Sequence, residues 1–288
     1  MVTKRIGWSL LLLGLFFYLP GFIVETWGQE LPHPETTEEN SAKATEVDSP
    51  RECSPATLKG AYGFQEHGTI MGSPPFPDAT SGIAIYDGEG NFHGTYTDAL
   101  GGPGTFEGTY TVNSECIYSD EFTPGPGPVY HHHAGPITGD GIRQEVHYIY
   151  TDAGGVVWGT LKKIPPKRCS LATLKGTYAQ FSEGTITVPI PPPPPFPVAF
   201  SGILTFDGAG KFSGQSTGSL GGVTVSNTVT GTYAVDPDCT LSVVAKTAQG
   251  VTHEAGTITG EGQFQEIRNI TTDAGLVLID TAKKQMSR

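Results

Sequence analysis

The chain has 288 residues, and Asp and Glu outnumber Lys and Arg by 29 to 17, giving a formal net charge of -12. This negative charge excludes a generic attraction to nucleic acid or to anionic lipid, and no basic stripe offsets it. The length exceeds that of a typical single domain and the chain repeats itself, which favours two domains of about 110 residues each.

The first residues have the pattern of an export signal, because Lys4 and Arg5 precede an apolar run over residues 6–24. We predict a signal peptide at 1–28. The apolar run is also long enough to cross a bilayer of about 30 Å, so an uncleaved membrane anchor is the alternative. Residues 29–52 contain Pro, Thr, Ser and acidic residues with almost no large apolar side chains, which predicts a disordered linker.

The segment from Cys53 to Phe64, CSPATLKGAYGF, returns as CSLATLKGTYAQ from Cys169 onward. Further matched segments follow in the same order: GTYTVNSEC with GTYAVDPDC, and AGPITGDG with AGTITGEG. The two halves are therefore copies of one unit. We predict domains at 53–164 and 169–285, joined by the short linker IPPKR.

Within each half, runs of aromatic, β-branched and Thr residues alternate with polar residues, and Gly, Asp and Asn clusters interrupt them. This pattern predicts antiparallel β-structure. We place the strands of the first half near 58–70, 80–87, 91–98, 105–113, 116–123, 128–137, 142–150 and 155–162. Eight strands in sequence order favour an all-β chain of two tandem eight-stranded antiparallel up-and-down barrels. An immunoglobulin-like sandwich, with about seven strands, is the alternative.

Four cysteines permit three disulfide pairings. The repeat places one Cys before strand 1 and one at the start of strand 5 in each half, which favours Cys53 with Cys116 and Cys169 with Cys239. In an up-and-down barrel these strand starts lie at the same end, so the segment from Cys53 to Leu58 is expected to cross and plug that end. Disulfides also indicate an oxidising compartment, so we predict a secreted, periplasmic or cell-surface protein.

The segments GAY, Gly60 to Tyr62, and GTY, Gly176 to Tyr178, are similar to the strand-A signature of lipocalins, with Tyr where that signature has Trp. With its strand count, plug and cysteines, the chain resembles the calycin-type and allene-oxide-cyclase-like barrels. It also resembles tandem secreted bacterial proteins with the pattern GTYxVxxxC. The resemblance covers residues 53–285 at the level of architecture. It implies a cup for an apolar ligand and transfers no catalytic residue.

The most conspicuous chemistry lies in the segment VYHHHAG, where His131 and His133 face one side of a strand and His132 faces the other. A hairpin turn at TGDG would place His132 directly across from His147, with Glu145 diagonally beside them. Two imidazoles and a carboxylate at this distance could bind zinc.

The second half keeps His253 and Glu266 at the equivalent positions but has Arg268 in place of His147. Since Arg cannot ligate a metal, we predict no duplicated metal site. The leading interpretation is a polar cross-strand network on a solvated or half-solvated face. It pairs Glu145 with His132 or His147, and Glu266 with His253 or Arg268. Ligand contact is the alternative. The candidate ligand-binding residues are His131, His132, His133, Glu145, His147, His253, Glu266 and Arg268.

The motif PPFP occurs in both halves, in SPPFPD (Ser73 to Asp78) and in IPPPPPFPV (Ile190 to Val198). Both segments fall in the predicted loop between strands 1 and 2. Five consecutive prolines favour a polyproline II rod. Such a rod would form a rigid exposed loop, a lid over the barrel mouth or a docking peptide for a partner.

In the seventh strand, the face that carries Ile142, Val146 and Tyr148 is the more apolar one, so we predict that it faces inward. His131 and His133 then face inward as well, which requires a wet lumen. The alternation of polar and apolar residues leaves open whether the barrels are hollow.

No G-x-S-x-G elbow occurs and every cysteine is assigned to a disulfide, so we predict no catalytic residue, and no metal or other cofactor. We expect a non-enzymatic exported binding or structural module of the cell envelope or extracellular space. A barrel that binds a small apolar ligand is the first alternative, and a cyclase-like or isomerase-like enzyme is the second. The expected partner is a small apolar ligand or a protein, with a membrane involved only if the N-terminal segment is uncleaved.

Overall fold

The computed structural model describes residues 52–125, 131–188 and 195–286. The predicted signal peptide and nearly all of the predicted linker lie outside these residues. So do positions 128–130 of the predicted sixth strand, and 190–194 of the proline run. Among the residues that are described, none belongs to a helix long and apolar enough to span a membrane.

The described residues form sixteen strands and four short 3-10 turns. The first half contains β1 (Lys59–Ile70), β2 (Phe76–Asp87), β3 (Asn91–Asp98), β4 (Gly102–Val112), β5 (Ile117–Pro124), β6 (His131–Thr138), β7 (Glu145–Tyr150) and β8 (Gly155–Lys163). The second half contains β9 (Lys175–Ile186), β10 (Phe196–Asp207), β11 (Lys211–Leu220), β12 (Val223–Val235), β13 (Thr240–Thr247), β14 (Gly250–Thr259), β15 (Glu266–Thr271) and β16 (Leu276–Lys284).

Each set of eight strands closes into an antiparallel barrel in which neighbours in sequence are neighbours in space. The first barrel closes where β1 pairs with β8, and the second closes where β9 pairs with β16. Full closure removes the sheet edges that an open sheet would expose. The prediction of two tandem eight-stranded barrels is confirmed, and the sandwich alternative is wrong.

The disulfides pair as the repeat predicted, Cys53 with Cys116 and Cys169 with Cys239, across sequence separations of 63 and 70 residues. Each bridge ties the segment before the first strand of its barrel to the start of the fifth. The two bridges are equivalent, which supports the origin of the halves as copies of one unit.

The predicted plug is present at the disulfide end of the first barrel. A 3-10 turn, Pro55–Thr57, leads into Leu58, which is fully buried in the barrel core. The lumen residue Tyr110 donates a hydrogen bond from its hydroxyl to the carbonyls of Pro55 and Leu58, both at 2.8 Å. The second barrel repeats this arrangement with Tyr233. The floor of each barrel is therefore closed.

The register of β6 with β7 differs from the predicted one. Ala134 pairs with Ile149 and Ile137 with Val146, because residues 141–143 form a 3-10 turn and β7 starts only at Glu145. The predicted pairing is displaced by four residues, an even number, so the inward face of each strand is unchanged. The prediction that Val146 and Tyr148 face inward is confirmed, since both are buried in the core of the barrel.

The predicted loop between strands 1 and 2 is shorter than expected. Strand β2 begins at Phe76 and β10 at Phe196, so the last residues of both PPFP segments belong to strands. Pro77 and Pro197 lie near the first residue of a strand, where a missing N–H is tolerated. Asp78, which we assigned to a loop, is therefore a strand residue.

The two barrels form one compact unit. The outer face of β1 and β2 packs against the outer face of β14, β15 and β16. Gln65 donates from its side-chain amide to the carbonyls of Asn269 at 2.6 Å and Asp280 at 3.0 Å. Gly63 lies against the side chains of Thr257 and Thr259, so closely that a Cβ at this position would overlap both.

A buried ion network also crosses this interface. Glu266 accepts hydrogen bonds from Lys162 at 2.6 Å and from Arg268 at 3.2 Å, and Arg268 also donates to Glu145 at 3.1 Å. Burial acts to raise the pKa of Glu266, but the positive charges of Arg268, Lys162 and Lys283 outweigh it and hold that pKa below its usual range. These charges are paired with one another, as buried charges must be.

Candidate ligand-binding cup in the first barrel

The lumen of the first barrel encloses a cavity of about 280 Å³. This volume is close to the lower limit of about 300 Å³ for small-molecule pockets. The lining includes Ile70, Asp98 and Tyr150, which lie at the strand ends away from the plug. The cavity is therefore a cup with its floor at the disulfide and its mouth at the opposite end of the barrel.

Aromatic rings form much of the wall of the cup. Phe106 packs against Phe64 at 5.7 Å and against Phe92 and Phe122 at 5.8 Å between ring centroids. Such tilted and edge-to-face contacts are the preferred geometry of aromatic pairs. Because each ring is held by another, the wall is a rigid apolar surface.

Four carboxyl groups face the same cavity, each from a different strand. Glu66, Asp78, Asp98 and Asp120 lie on β1, β2, β3 and β5, and all four line the cup. Side chains of a strand alternate between its faces, so each acid shares the inner face with core residues of its own strand. The cup therefore combines an apolar wall with an unusual concentration of acid.

Asp78 and Asp98 form a hydrogen-bonded pair near the mouth of the cup. Asp98 accepts hydrogen bonds from the hydroxyl of Thr80 at 3.0 Å and from the backbone N–H groups of Leu100 and Gly101. Burial, together with the hydrogen bond to Asp98 and its charge, raises the pKa of Asp78 to about 8. Asp78 therefore keeps its proton at neutral pH.

Asp120 orients the imidazole of His133 deeper in the lumen. One oxygen of Asp120 accepts the backbone N–H of His133 at 2.7 Å, and the other lies 3.3 Å from Nδ1 of its ring. Tyr118 also donates to this carboxylate, and the hydroxyls of Tyr118 and Tyr86 are 2.9 Å apart. A chain of buried polar groups thus runs from the floor of the cup to His133.

The second ring nitrogen of His133 lacks a hydrogen-bond partner among the described residues. His133 is only 7% exposed, and its Nε2 lies 3.7 Å from Oε2 of Glu66. Burial acts to lower the pKa of His133, but the hydrogen bond and charge of Asp120 and the charge of Glu66 outweigh it and raise that pKa above its usual range. A buried donor without an acceptor is costly, so this nitrogen marks a place where an occupant would gain a hydrogen bond.

Glu66 lies between His133 and the hydroxyl of Tyr148. Its Oε2 accepts a hydrogen bond from the hydroxyl of Tyr148 at 3.0 Å. Burial raises the pKa of Glu66, and the charge of His133 and the hydrogen bond from Tyr148 partly offset this rise. The hydroxyl of Tyr148 stays protonated because burial raises its own pKa well above the usual value.

The predicted inward direction of His131 and His133 is confirmed, since both line the cup. His131 packs between the rings of Phe122 at 5.4 Å and Tyr150 at 5.2 Å. Burial lowers its pKa, so His131 is neutral at physiological pH. Of the candidate residues chosen from sequence, these two are the ones in the lumen.

The predicted pairing of His132 with His147 is wrong, because the register is displaced by the 3-10 turn before β7. His132 instead bonds to Asp152 in the turn that follows β7, through its ring at 2.8 Å and its backbone N–H at 2.7 Å. His253 repeats both contacts with Asp273 in the second barrel. The repetition indicates that these histidines fasten a turn in each barrel.

The remaining candidates, Glu145, His147, Glu266 and Arg268, lie on outer faces. Glu145 lies 3.7 Å from His147, and Glu266 is bonded to Arg268, so these two predicted pairs form. The face was expected to be solvated, but Glu266 and Arg268 are only 4% exposed because the second barrel packs against the first. Their role as ligand contacts stays a prediction. In the described part of the chain, no group of three or more His, Cys, Asp or Glu residues has the geometry of a metal site.

The acids of the cup were missed because they are scattered along the sequence. A comparison of the two halves contains the signal that could have found them. Glu66, Asp78, Asp98, Asp120 and His133 correspond to Ser182, Val198, Gly218, Val243 and Glu254. The floor, in contrast, is duplicated: Tyr62 donates to Gln144, and Tyr178 donates to Gln265. These four acid positions are thus particular to the first barrel, and the second lumen has acids at other positions.

The lumen of the second barrel holds a different polar cluster. Asp280 accepts hydrogen bonds from Ser182 at 2.7 Å and Gln180 at 2.8 Å, and Glu254 accepts one from Asn269 at 3.1 Å. Burial and the charge of Asp280 raise the pKa of Glu254 to about 8, and burial raises that of Asp280 to about 6. This lumen is consequently polar but lacks the histidine of the first.

A larger open cleft, about 1300 Å³, lies beside the linker between the barrels. Its lining includes Lys59, Lys163, Lys167 and Arg168, all on or near the surface. None of the buried polar atoms that lack a partner among the described residues belongs to this lining. The cup is therefore the stronger site.

The fold and the cup together define a two-barrel protein with one acidic, aromatic-walled lumen. No protein-family model matches the chain, and no curated protein matches it significantly.

Proposed function

We propose that the chain is an exported binding protein whose first barrel holds a small molecule. The observation that carries the proposal is the cup, where aromatic walls and convergent polar groups surround a cavity of about 280 Å³. Ligand sites have this composition, a mainly apolar lining with a few oriented polar groups. Two disulfides and the signal-like N-terminal sequence support export.

The cup suits an amphiphilic molecule better than the purely apolar one that the barrel resemblance implies. A purely apolar occupant would leave the buried Nε2 of His133 without a hydrogen-bond partner. The cost of such an unpaired group is about 1–3 kcal/mol. An occupant with one apolar and one polar part uses both sides of the lining.

Native mass spectrometry of the full exported and oxidised protein tests the proposal. We expect a mass above the denatured mass by that of one small organic molecule. The variant Thr80→Phe places in the cup the ring that the second barrel has at Phe200, and it should lose this excess. Thr109→Phe adds the same ring to the outer face and should keep it. Equal native and denatured masses for the wild-type protein would overturn the proposal.

A second candidate function is acid–base catalysis in the cup. It is favoured by the geometry of His133, whose Nδ1 is oriented by Asp120 while Nε2 is free on the side of Glu66. This is how a general acid or base is held in place. The compound recovered from the cup would be incubated with fresh protein. A change in its chromatographic retention with wild-type protein but not with His133→Asn supports catalysis, and an unchanged compound excludes it.

A further inference from the structure

The cup has an excess of negative charge that its own side chains do not neutralise. Its lining contains four carboxyl groups and two imidazoles, and neither Lys nor Arg. His133 neutralises Asp120 with the help of a hydrogen bond, and His131 is neutral. Glu66 and Asp98 therefore share the lumen with little positive charge to balance them, and Asp78 retains its proton.

The acidic pair at the mouth shows where a counter-charge is missing. Asp98 is held by the hydroxyl of Thr80 and by two backbone N–H groups, while Asp78 beside it retains a proton. Two neighbouring carboxyl groups share one proton when no cation lies between them. A cation at this place would allow both groups to ionise.

The phenylalanine wall of the cup is suited to the apolar part of such a cation. Phe64, Phe106 and Phe122 present ring faces and edges within one contiguous wall. Aromatic rings also attract ammonium groups when these lie within about 6 Å of the ring centroid. The buried Nε2 of His133, which has no hydrogen-bond partner among the described residues, is an independent sign that this cavity takes an occupant.

We propose that the occupant of the first barrel is a small organic amine, whose ammonium group binds between Asp78 and Asp98 and whose apolar part lies against the phenylalanine wall. The inference rests on the proposed function, because it requires that the cup bind a small molecule. It specifies the chemical class, and it excludes carboxylates and phosphates as occupants.

Calorimetric titration of the full exported protein tests the charge of the occupant. Three isosteric probes are compared at pH 7: 2-phenylethylamine, 2-phenylethanol and phenylacetate, with butylamine and butanol as a second pair. We expect each amine to bind at least 10-fold more tightly than its alcohol, and phenylacetate to bind most weakly. Asp98→Asn should weaken amine binding at least 10-fold and leave alcohol binding unchanged. Glu107→Gln removes a carboxylate from the outer face of β4 and should change neither.

Proton release provides a second readout that a purely structural role would not affect. An ammonium group beside Asp78 favours its ionised form, so binding near pH 7 should release protons and amine affinity should increase from pH 6 to pH 8. The titratable groups that line the cup together with Asp78 are Glu66, Tyr86, Tyr96, Asp98, Tyr118, Asp120, His131, His133, Tyr148 and Tyr150. Titrations in buffers of different ionisation enthalpy measure the release, and Asp78→Asn should abolish it.

The outcomes separate the two proposals. If the alcohols or phenylacetate bind as tightly as the amines, the cup binds small molecules but the cation inference is overturned. If none of the probes binds, the cation inference is also overturned, and the native mass of the same preparation then decides whether the cup has an occupant at all. Circular dichroism and Tm of each variant confirm that it is folded.

Discussion

At the residue scale, the acids of the cup are held in an environment that does not favour their charge. Glu66 and Asp78 have raised pKa values because they are buried beside other acids. Such strain is expected at binding sites, where groups that would stabilise an occupant destabilise the empty protein. Replacing one of these acids with a neutral side chain should therefore stabilise the empty protein and impair its interaction with the ligand.

We predict that Asp78→Asn stabilises the empty protein above about pH 5. Asp78 ionises near 3.8 when unfolded and near 8 when folded, so the folded state binds the extra proton between these values. Stability from this group is thus greatest at low pH and decreases as pH rises towards 8. An Asn has no proton to lose, and its amide can still donate to Asp98.

The effect should be largest at pH 8. Because Asp78 is partly exposed near the mouth, we expect about 1 kcal/mol, or a rise in Tm of about 2–4 °C. Thermal unfolding from pH 4 to pH 8 measures it, and Glu107→Gln on the outer face is the matched control. A variant that is less stable than wild type at pH 8 would contradict the assignment of a protonated Asp78.

At the element scale, one end of the strands of the cup forms its closed floor and the other end carries the acids of its mouth. The disulfide end of the first barrel is closed by the turn Pro55–Thr57 and by Leu58, and the second barrel has the same floor. The opposite ends of the same strands carry Asp78, Asp98 and Tyr150, which have no equivalent in the second barrel. The floor is thus common to both barrels, whereas the mouth differs between them.

We predict that removal of the first disulfide, by Cys53→Ser with Cys116→Ser, lowers stability by about 2–5 kcal/mol. The physical reason is that the unfolded chain gains freedom when a loop of 63 residues is opened. Denaturant titration of the oxidised protein measures the loss. The equivalent variant, Cys169→Ser with Cys239→Ser, should lose a similar amount, and an unchanged midpoint in either would show that its bridge does not constrain the unfolded chain.

Strand number, closure and disulfide pairing could be predicted from sequence because they follow from alternation and from the repeat. The inward direction of His133 was also predictable, since it depends only on the parity of the strand. The partners of His132 were not, because the turn at residues 141–143 displaced the register by four residues. Asp78 was missed since the proline before it suggested a loop, and Asp120 because its partner His133 is on another strand.

At the scale of the whole molecule, the two barrels are joined by a buried and hydrogen-bonded contact. Gln65 donates two hydrogen bonds to the second barrel, and Lys162 extends to Glu266. The alternation of polar and apolar residues does not predict this contact, because its residues occupy ordinary outward-facing polar positions of their strands. The second barrel should consequently be needed for the first to be fully stable.

We predict that Gly63→Ala weakens the docking of the barrels. Its new methyl group would overlap Thr257 and Thr259, which are fully buried. Overpacking of this kind costs about 1–3 kcal/mol. Exchange of the backbone amides of β14 and β15 should become faster. Exchange of the amides of Leu58 and Leu174, which are hydrogen-bonded in the two floors, should be unchanged.

Gly155→Ala, at the start of β8, is the control, because its φ is not left-handed and an added methyl group would meet only ordinary contacts of 3.4 Å or more. If Gly63→Ala leaves both stability and exchange unchanged, the close approach of the barrels at β1 is contradicted.

Strand β1 lines the cup on one face and contacts the second barrel on the other. Phe64 and Glu66 face the cup, while Gly63 and Gln65, the residues alternating with them, bear on the neighbouring barrel. A ligand that displaces β1 outward would press it against the second barrel instead of solvent, so the cavity cannot be enlarged on that side. Widening is left to the strands away from this contact, β3 to β6, and these strands set the size of the ligand that the cup admits.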